Sequence, residues 1–266
     1  MKWCRFENSG EPSYGSIVGH EVLELAEAPF ENIKYTGKSY LLNKLKLLPP
    51  VLPQNFYAAG RNFIDHIHWA NAHHEMKLTV PANADIGYRS PNALVGSGSE
   101  IVIPKNSTGS IEFEGELVAI IGKKVKNLTS ENALECIAGY TLGNDLSERN
   151  YQKSDSTLWR AKNIDTFKPM GPLVNTILDP MQQIIKVRVN GKEVSSYSTS
   201  KMIFSLEYFL VRMTEFVTLH PGDVIWLGCD GPTLPALNPG DIVEVVNDNI
   251  GVLSNRLVKE GYDLLG

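Results

Sequence analysis

Little in this chain suits a membrane, an extracellular scaffold or a nucleic acid. Its three cysteines (Cys4, Cys136 and Cys229) are scattered along 266 residues. That makes neither a disulfide framework nor a metal-ligand spacing. The longest unbroken apolar run is five residues, Leu117 to Ile121, far short of the roughly 20 that span a bilayer. No Lys/Arg run stands out and the net charge is −5, so nucleic acid is not an expected partner. The first residues, Met1-Lys2-Trp3-Cys4-Arg5-Phe6-Glu7, carry no apolar signal core. A reducing cytoplasm is the simplest home. Sustained repeats and low-complexity tracts are also missing.

What is present is enough chain for a sizeable core, as one large domain or one domain plus a small appendage. Residues 1–50 read as a small β-rich unit. It has a strand at Met1–Phe6 and a tight hairpin through Gly19. Pro49-Pro50-Val51-Leu52-Pro53 marks the expected boundary with a second unit, 51–266, because prolines cannot continue a ladder. In that second unit Asn55–Ala59 suits a strand ending at Gly60, and Arg61 to about His74 suits a helix carrying His66, His68, His73 and His74. Thr129 reads as the N-cap of a helix through Ala138 with Gly139 as its stop. Asn190-Gly191 predicts a type I′ hairpin between Ile184–Val189 and Lys192–Tyr197. Apolar residues from Met202 to Val217 recur at helical spacing. His220-Pro221-Gly222-Asp223 and Asn238-Pro239-Gly240-Asp241 are twin turns, each opening an apolar strand. Many short strands with few helices indicate an α+β, β-dominated fold.

The most informative stretch is Ile111 to Ile121. Read as one strand, it puts Ile111, Phe113, Leu117, Ala119 and Ile121 on one face. Glu112, Glu114 and Glu116 share the other with Val118 and Ile120. Carboxylates two apart on a strand sit roughly 7 Å apart. Where such a face is buried, like charges repel and are costly to desolvate. Something positive is then required near Glu114 and Glu116, and a hard divalent cation suits carboxylate oxygens. An exposed acidic strand is the alternative.

The order of motifs resembles the fumarylacetoacetate hydrolase family, from about Asn55 to Val258. Gly60-Arg61-Asn62-Phe63-Ile64-Asp65-His66 matches one family segment. Glu114-Gly115-Glu116-Leu117 and Ile120-Ile121-Gly122-Lys123 match the next. Gly139-Tyr140 to Asp145 follows, then Arg149-Asn150-Tyr151-Gln152. Trp159, Lys162, Asp165-Thr166-Phe167, Pro169 and Gly171-Pro172 complete the series. Within the family the chain is similar to the acylpyruvase and 2-hydroxyhepta-2,4-diene-1,7-dioate isomerase branch.

The resemblance implies a β-sandwich roll with a small N-terminal domain, usually a homodimer. It implies Mg²⁺ or Mn²⁺ held by Glu114, Glu116 and Asp145, with Glu112 in support. The substrate class is a 2-oxo acid or 1,3-dicarbonyl such as a diketo acid, processed through an enolate. Lys162 would set a positive charge beside that enolate, and a structural ion pair is its alternative role. Gln152 would bond a substrate oxygen or orient Lys162. Arg89 would grip a carboxylate, Arg149 would brace the site or touch substrate, and His66 would be the general base. Hydrolytic C–C cleavage is the leading expectation. Decarboxylation, keto–enol tautomerisation or isomerisation, and a catalytically silent metal- and keto-acid-binding role are the alternatives.

Three departures bear on that choice. Hydrolytic members carry a glutamate one helical turn beyond the histidine, where this chain has Trp69. Glu75 is a candidate substitute, or else part of an exposed lid with His73 and His74. Asn150 replaces an aspartate. Leu227-Gly228-Cys229-Asp230 replaces a Thr-Gly-Thr-Pro pattern, leaving Cys229 as a weaker hydrogen-bonding group toward substrate. A tautomerase or decarboxylase needs no activated water, so losing the glutamate harms it less.

Overall fold

A computed structural model describes residues 1–30, 32–74 and 77–261. Strands dominate. A 12-stranded sheet is built around Lys168–Asn175, Ile137–Asn144 and Gly115–Ile121 as neighbours. On one side it continues through Val224–Trp226 and Phe56–Ala59 to the edge strand Ile86–Tyr88. On the other, Lys168–Asn175 pairs with Lys2–Asn8, whose hairpin neighbours carry the sheet on through the first 50 residues. A five-stranded sheet runs Lys192–Ser198, Ile184–Val189, Ile242–Asn247, Gly251–Lys259, Glu100–Ile103. Leu117, Ala119 and Leu142 of the large sheet share one core with Ile185, Val245 and Leu253 of the smaller one. Leu206, Phe209, Leu210 and Met213 of the Leu206–Phe216 helix join them.

Several local signals act as their chemistry dictates. The Asn190-Gly191 turn joins Ile184–Val189 to Lys192–Ser198, with both turn residues at positive φ. The twin turns close alike. The Asp223 carboxylate accepts the His220 backbone N–H at 2.9 Å, and Asp241 accepts that of Asn238 at 2.7 Å. Strands follow at Val224 and Ile242. Ser205 caps the Leu206–Phe216 helix by accepting from the Tyr208 N–H.

Two expectations fail. The helix expected from Thr129 to Ala138 is only a 3-10 turn, Ala133–Cys136, and a strand begins at Ile137. Gly139 is no helix stop. A Cβ there would come within 2.6 Å of Val174, so glycine permits the close approach of the neighbouring strand. Ile111–Ile121 is also not one strand. It breaks at Phe113-Glu114 into Ile111–Glu112 and Gly115–Ile121. The two pieces pair with different partners, Ser147–Glu148 and Ile137–Asn144. Gly115–Ile121 is buried on both faces, because Val118 and Ile120 pack with Trp3, Met170 and Trp226.

Register here positions everything that follows. Glu116 lies opposite Gly143 and Gly115 opposite Asn144, so Glu114 and Asp145 sit just past facing strand ends. Backbone and side chain lock that corner: Asp145 N–H donates to the Glu114 carbonyl at 2.8 Å, and Glu114 N–H to Asn144 Oδ1 at 3.0 Å. Gly143 meets the Trp226 ring, where an added Cβ would lie 2.6 Å from ring carbons. Gly143→Ala is therefore expected to cost about 1–3 kcal/mol by overpacking. Urea denaturation checks this; an unchanged midpoint would show that the ring has room to move.

Candidate active site

Glu114, Glu116 and Asp145 are all buried, and each offers a carboxylate oxygen within 4.8 Å of the others. The exposed-strand alternative is thereby excluded. They line a cavity of about 330 Å³ together with His66, Trp69, His74, Arg89, Arg149, Gln152, Lys162 and Cys229. Nearly every expected site residue is thus gathered in one place. Glu75 lies outside the described residues.

Short elements deliver the cations. Arg149 opens the Arg149–Ser154 helix, which Glu148 caps by accepting the Tyr151 N–H at 2.6 Å. Lys162 comes from the Trp159–Asn163 helix, and Arg89 follows the Ile86–Tyr88 edge strand. Lys162 Nζ donates to Glu114 at 2.7 Å and Asp145 at 2.9 Å, and also to the Asp145 carbonyl at 3.0 Å. Arg89 forks onto Asp145, with Nη2 at 2.8 Å and Nε at 3.1 Å. Arg149 donates to Glu112 at 2.8 Å, Glu114 at 3.2 Å, Thr233 at 3.1 Å and Gln152 at 2.5 Å. Arg89, expected to grip a substrate carboxylate, and Arg149, expected to brace the site or touch substrate, are both turned onto protein carboxylates. Gln152 bonds Arg149 and makes no bond to Lys162.

Sequence reasoning missed three contributors. Lys168 is fully buried, and its ammonium reaches Asp145 at 2.8 Å and the carbonyls of Leu146 and Phe167 at 2.9 and 3.0 Å. Its only signal was a lone lysine inside the apolar stretch Phe167 to Met170. Thr233 donates to Glu112 as well as accepting from Arg149. His74 is no lid surface: it is half-buried, and its Nε2 lies 3.5 Å from Glu112.

The charges explain one another. Burial opposes ionisation of Asp145, but Arg89, Lys162 and Lys168 outweigh it and hold the group well below the usual carboxylate range. Glu114 is likewise opposed by burial and brought down by Lys162 and Arg149. Burial pushes Lys168 down to about 7 against the pull of Asp145. Glu116 differs. Its oxygen accepts the Gly228 N–H at 2.8 Å, and among the described residues it has no ion-pair partner. Burial, then the charges of Asp145 and Glu114, push its pKa up. A buried carboxylate lacking a counter-charge, beside two more carboxylates, is a donor set that suits a hard divalent cation.

His66 has a different setting. Its Nδ1 lies 2.9 Å from the Gly231 carbonyl, which can only accept, so Nδ1 holds the proton and Nε2 carries the free lone pair. Its ring stacks on Trp69 at 5.8 Å and 26°, and Trp69 stacks in turn on His73 at 4.9 Å. An indole occupies the place where a carboxylate would orient the histidine. Cys229 Sγ lies 3.9 Å from His66 Nδ1, but burial, then Glu114 and Glu116, raise its pKa well above the ordinary thiol value.

Residues 55–258 match the family described as Fumarylacetoacetate (FAA) hydrolase C-terminal, and residues 1–50 match Rv2993c-like, N-terminal. The chain belongs to the fumarylacetoacetate hydrolase family. It is 36% identical over 241 residues to "Protein Rv2993c" of Mycobacterium tuberculosis, spanning 90% of this chain and 88% of that one. It is 31% identical over 254 residues to "Oxaloacetate tautomerase YisK" of Bacillus subtilis, spanning 91% and 82%. The crystal structure of 5-carboxymethyl-2-hydroxymuconate delta-isomerase from Mycobacterium smegmatis superposes with a TM-score of 0.87 at 31% identity, covering 98% of this chain and all of that one. Within this family member the β-dominated fold and its several sheets agree with the sequence expectation.

Two outcomes follow from the buried charges. Arg149→Met leaves Glu112 buried without its cation and is expected to destabilise by about 3–5 kcal/mol. Adding Glu112→Gln should recover part of the loss in a double-mutant denaturation cycle, and no recovery would mean that the pair does not share the cost. Burial also raises Cys4 to about 12 and Cys136 to about 11. At pH 8 the folded protein should therefore release almost no colour from a thiol-exchange reagent, and the unfolded chain three equivalents. One fast-reacting native thiol would contradict the description of Cys229.

Proposed function

We propose that this family member is a divalent-metal-dependent keto–enol tautomerase or isomerase acting on a 2-oxo acid, with oxaloacetate the first substrate to try. The observation that carries this reading is the setting of His66. His66 lines a cavity walled by three carboxylates and Lys162, with Nδ1 held by the Gly231 carbonyl, and its neighbour one turn on is Trp69. Hydrolysis requires water activated by a strong base, which a histidine–carboxylate pair would supply. Tautomerisation requires only that a proton leave the α-carbon as one is gained by the carbonyl oxygen, or the reverse. The tautomerase and isomerase names of the relatives support the same choice.

Glu114, Glu116 and Asp145 would hold Mg²⁺ or Mn²⁺. Such an ion supplies a Lewis acid that polarises the keto oxygen, typically worth several kcal/mol. The chain's own groups do the rest. Lys162 sets a fixed ammonium where negative charge develops on the substrate oxygen. His66 Nε2 takes and returns the carbon-bound proton, and the Gly231 carbonyl holds its tautomer throughout. Arg89 and Lys168 hold Asp145 in place. Trp69 and Leu158 line the cavity and would set apolar surface beside the reacting carbon.

The test follows loss of oxaloacetate enol absorbance with Mg²⁺, alongside product analysis of acetylpyruvate. The expected result is accelerated enol–keto conversion with acetylpyruvate left intact. Cleavage of acetylpyruvate into two acids would restore the hydrolytic reading, and CO₂ release the decarboxylase. His66→Ala should lower the rate by roughly 10²–10⁴-fold. Glu116→Ala should abolish both activity and the rise in melting temperature on adding Mn²⁺. A normal rise in that variant would remove Glu116 from the ligand set.

A further inference from the structure

Tyr197 is a buried polar group that the proposed chemistry leaves unused. It lies on Lys192–Ser198, the edge strand of the five-stranded sheet. Its hydroxyl reaches across to the large sheet. There its one proton is shared between the Gly115 carbonyl at 2.9 Å and the Gly228 carbonyl at 3.2 Å. Glycine at 115 lets the two sheets come this close, since a Cβ there would lie 2.6 Å from Val187 of the smaller sheet. The Tyr197 ring packs edge-on against Phe63 at 5.1 Å. Burial, then the neighbouring Cys229 and Glu116, hold the phenol pKa well above its ordinary value, so the hydroxyl stays a donor.

Both carbonyls belong to residues that fix Glu116. Gly115 precedes it in the strand, and the Gly228 N–H donates to its carboxylate at 2.8 Å. Lys162 holds both Glu114 and Asp145, whereas Glu116 has that backbone N–H and no ion-pair partner among the described residues. The turn that presents the N–H is pinned on both sides. Asn62 Nδ2 donates to the Leu227 carbonyl at 3.1 Å, and Tyr197 takes the Gly228 carbonyl. Gly228 itself stands at φ +86°, a conformation that favours glycine. We infer that Tyr197 is a positioning residue: by clamping Gly115 to Gly228 it fixes the Glu116 carboxylate for a divalent cation, and so sets metal affinity without touching the metal. The inference rests on the metal-site reading and adds to it a residue outside the donor set. Removing the hydroxyl leaves two buried carbonyls short of a donor, which is costly. Gly228 lines the cavity, so its carbonyl can turn there for water, and the N–H aimed at Glu116 turns with it.

Calorimetric titration of the chelator-treated protein with Mn²⁺ tests this, alongside the urea midpoint without metal. Tyr197→Phe removes the hydroxyl alone and is expected to weaken Mn²⁺ binding by roughly 10–100-fold. Tyr40→Phe makes the same chemical change on the Tyr35–Leu41 strand, where the hydroxyl donates to Glu24 at 3.1 Å. That variant should lower the urea midpoint and leave Mn²⁺ affinity unchanged. Tyr197→4-aminophenylalanine keeps a donor on the ring and should hold the affinity within about threefold of native, against the loss that follows when a supporting hydrogen bond is removed. It also carries the test should Tyr197→Phe not fold. Native Mn²⁺ affinity in folded Tyr197→Phe overturns the role of Tyr197 and leaves the metal site standing. An equal loss in Tyr40→Phe overturns it too, as does a loss beyond about tenfold in the folded 4-aminophenylalanine variant. Failure of the native protein to bind Mn²⁺ overturns the metal-site reading and this inference with it.

Discussion

Burying three carboxylates within 4.8 Å of one another is the constraint on which this structure depends. Water would screen their repulsion; a protein interior does not. The antiparallel pairing of Gly115–Ile121 with Ile137–Asn144 forces the crowding, since its register sets Glu114 beside Asp145 and Glu116 two residues behind. The molecule answers with positive charge from every direction. Lys162 bridges Glu114 and Asp145, Arg89 forks onto Asp145, Lys168 supports Asp145 from within the core, and Arg149 ties Glu112 to Glu114. Glu116 alone is left with a backbone N–H. That residual demand for positive charge is the physical content of calling the place a cation site.

Much of this was legible because short-range rules applied. Alternating glutamates against apolar neighbours marked the site, Asn190-Gly191 marked a hairpin, and two Pro-Gly-Asp turns marked two strand starts. What was not legible depended on partners distant in sequence. Nothing local says that the Ile111–Ile121 run must break at Phe113-Glu114, since the break comes from each half finding a different partner strand. Nothing local favours strand over helix at Ile137–Ala138, because the preference comes from pairing of Ile137 with Ile121 and of the strand's continuation, from Tyr140, with a second neighbour. Capping and stop signals at Thr129 and Gly139 were chemically reasonable and were overridden by packing.

Residue roles divide the same way. Motif resemblance put His66, Lys162, Arg89, Arg149 and Gln152 in one site, and the cavity contains all of them. It could not say which cations already serve the protein. Arg89 and Arg149 direct their donors onto buried carboxylates, so two motif arginines became part of the frame. Trp69 was readable as a departure from the hydrolytic pattern. Its meaning needed the stack it forms with His66 and His73, which sets an indole against the imidazole.

The measurement that bears most directly on the account is a crystal structure of the protein soaked with Mn²⁺, using anomalous scattering to locate the metal. The account predicts one strong anomalous peak bonded to Glu114, Glu116 and Asp145, with the Lys162 ammonium displaced from the ion but still in the cavity. No peak there, with Lys162 still bridging Glu114 and Asp145 under saturating Mn²⁺, would contradict it. The cluster would then be an internal ion-pair network, not a metal centre.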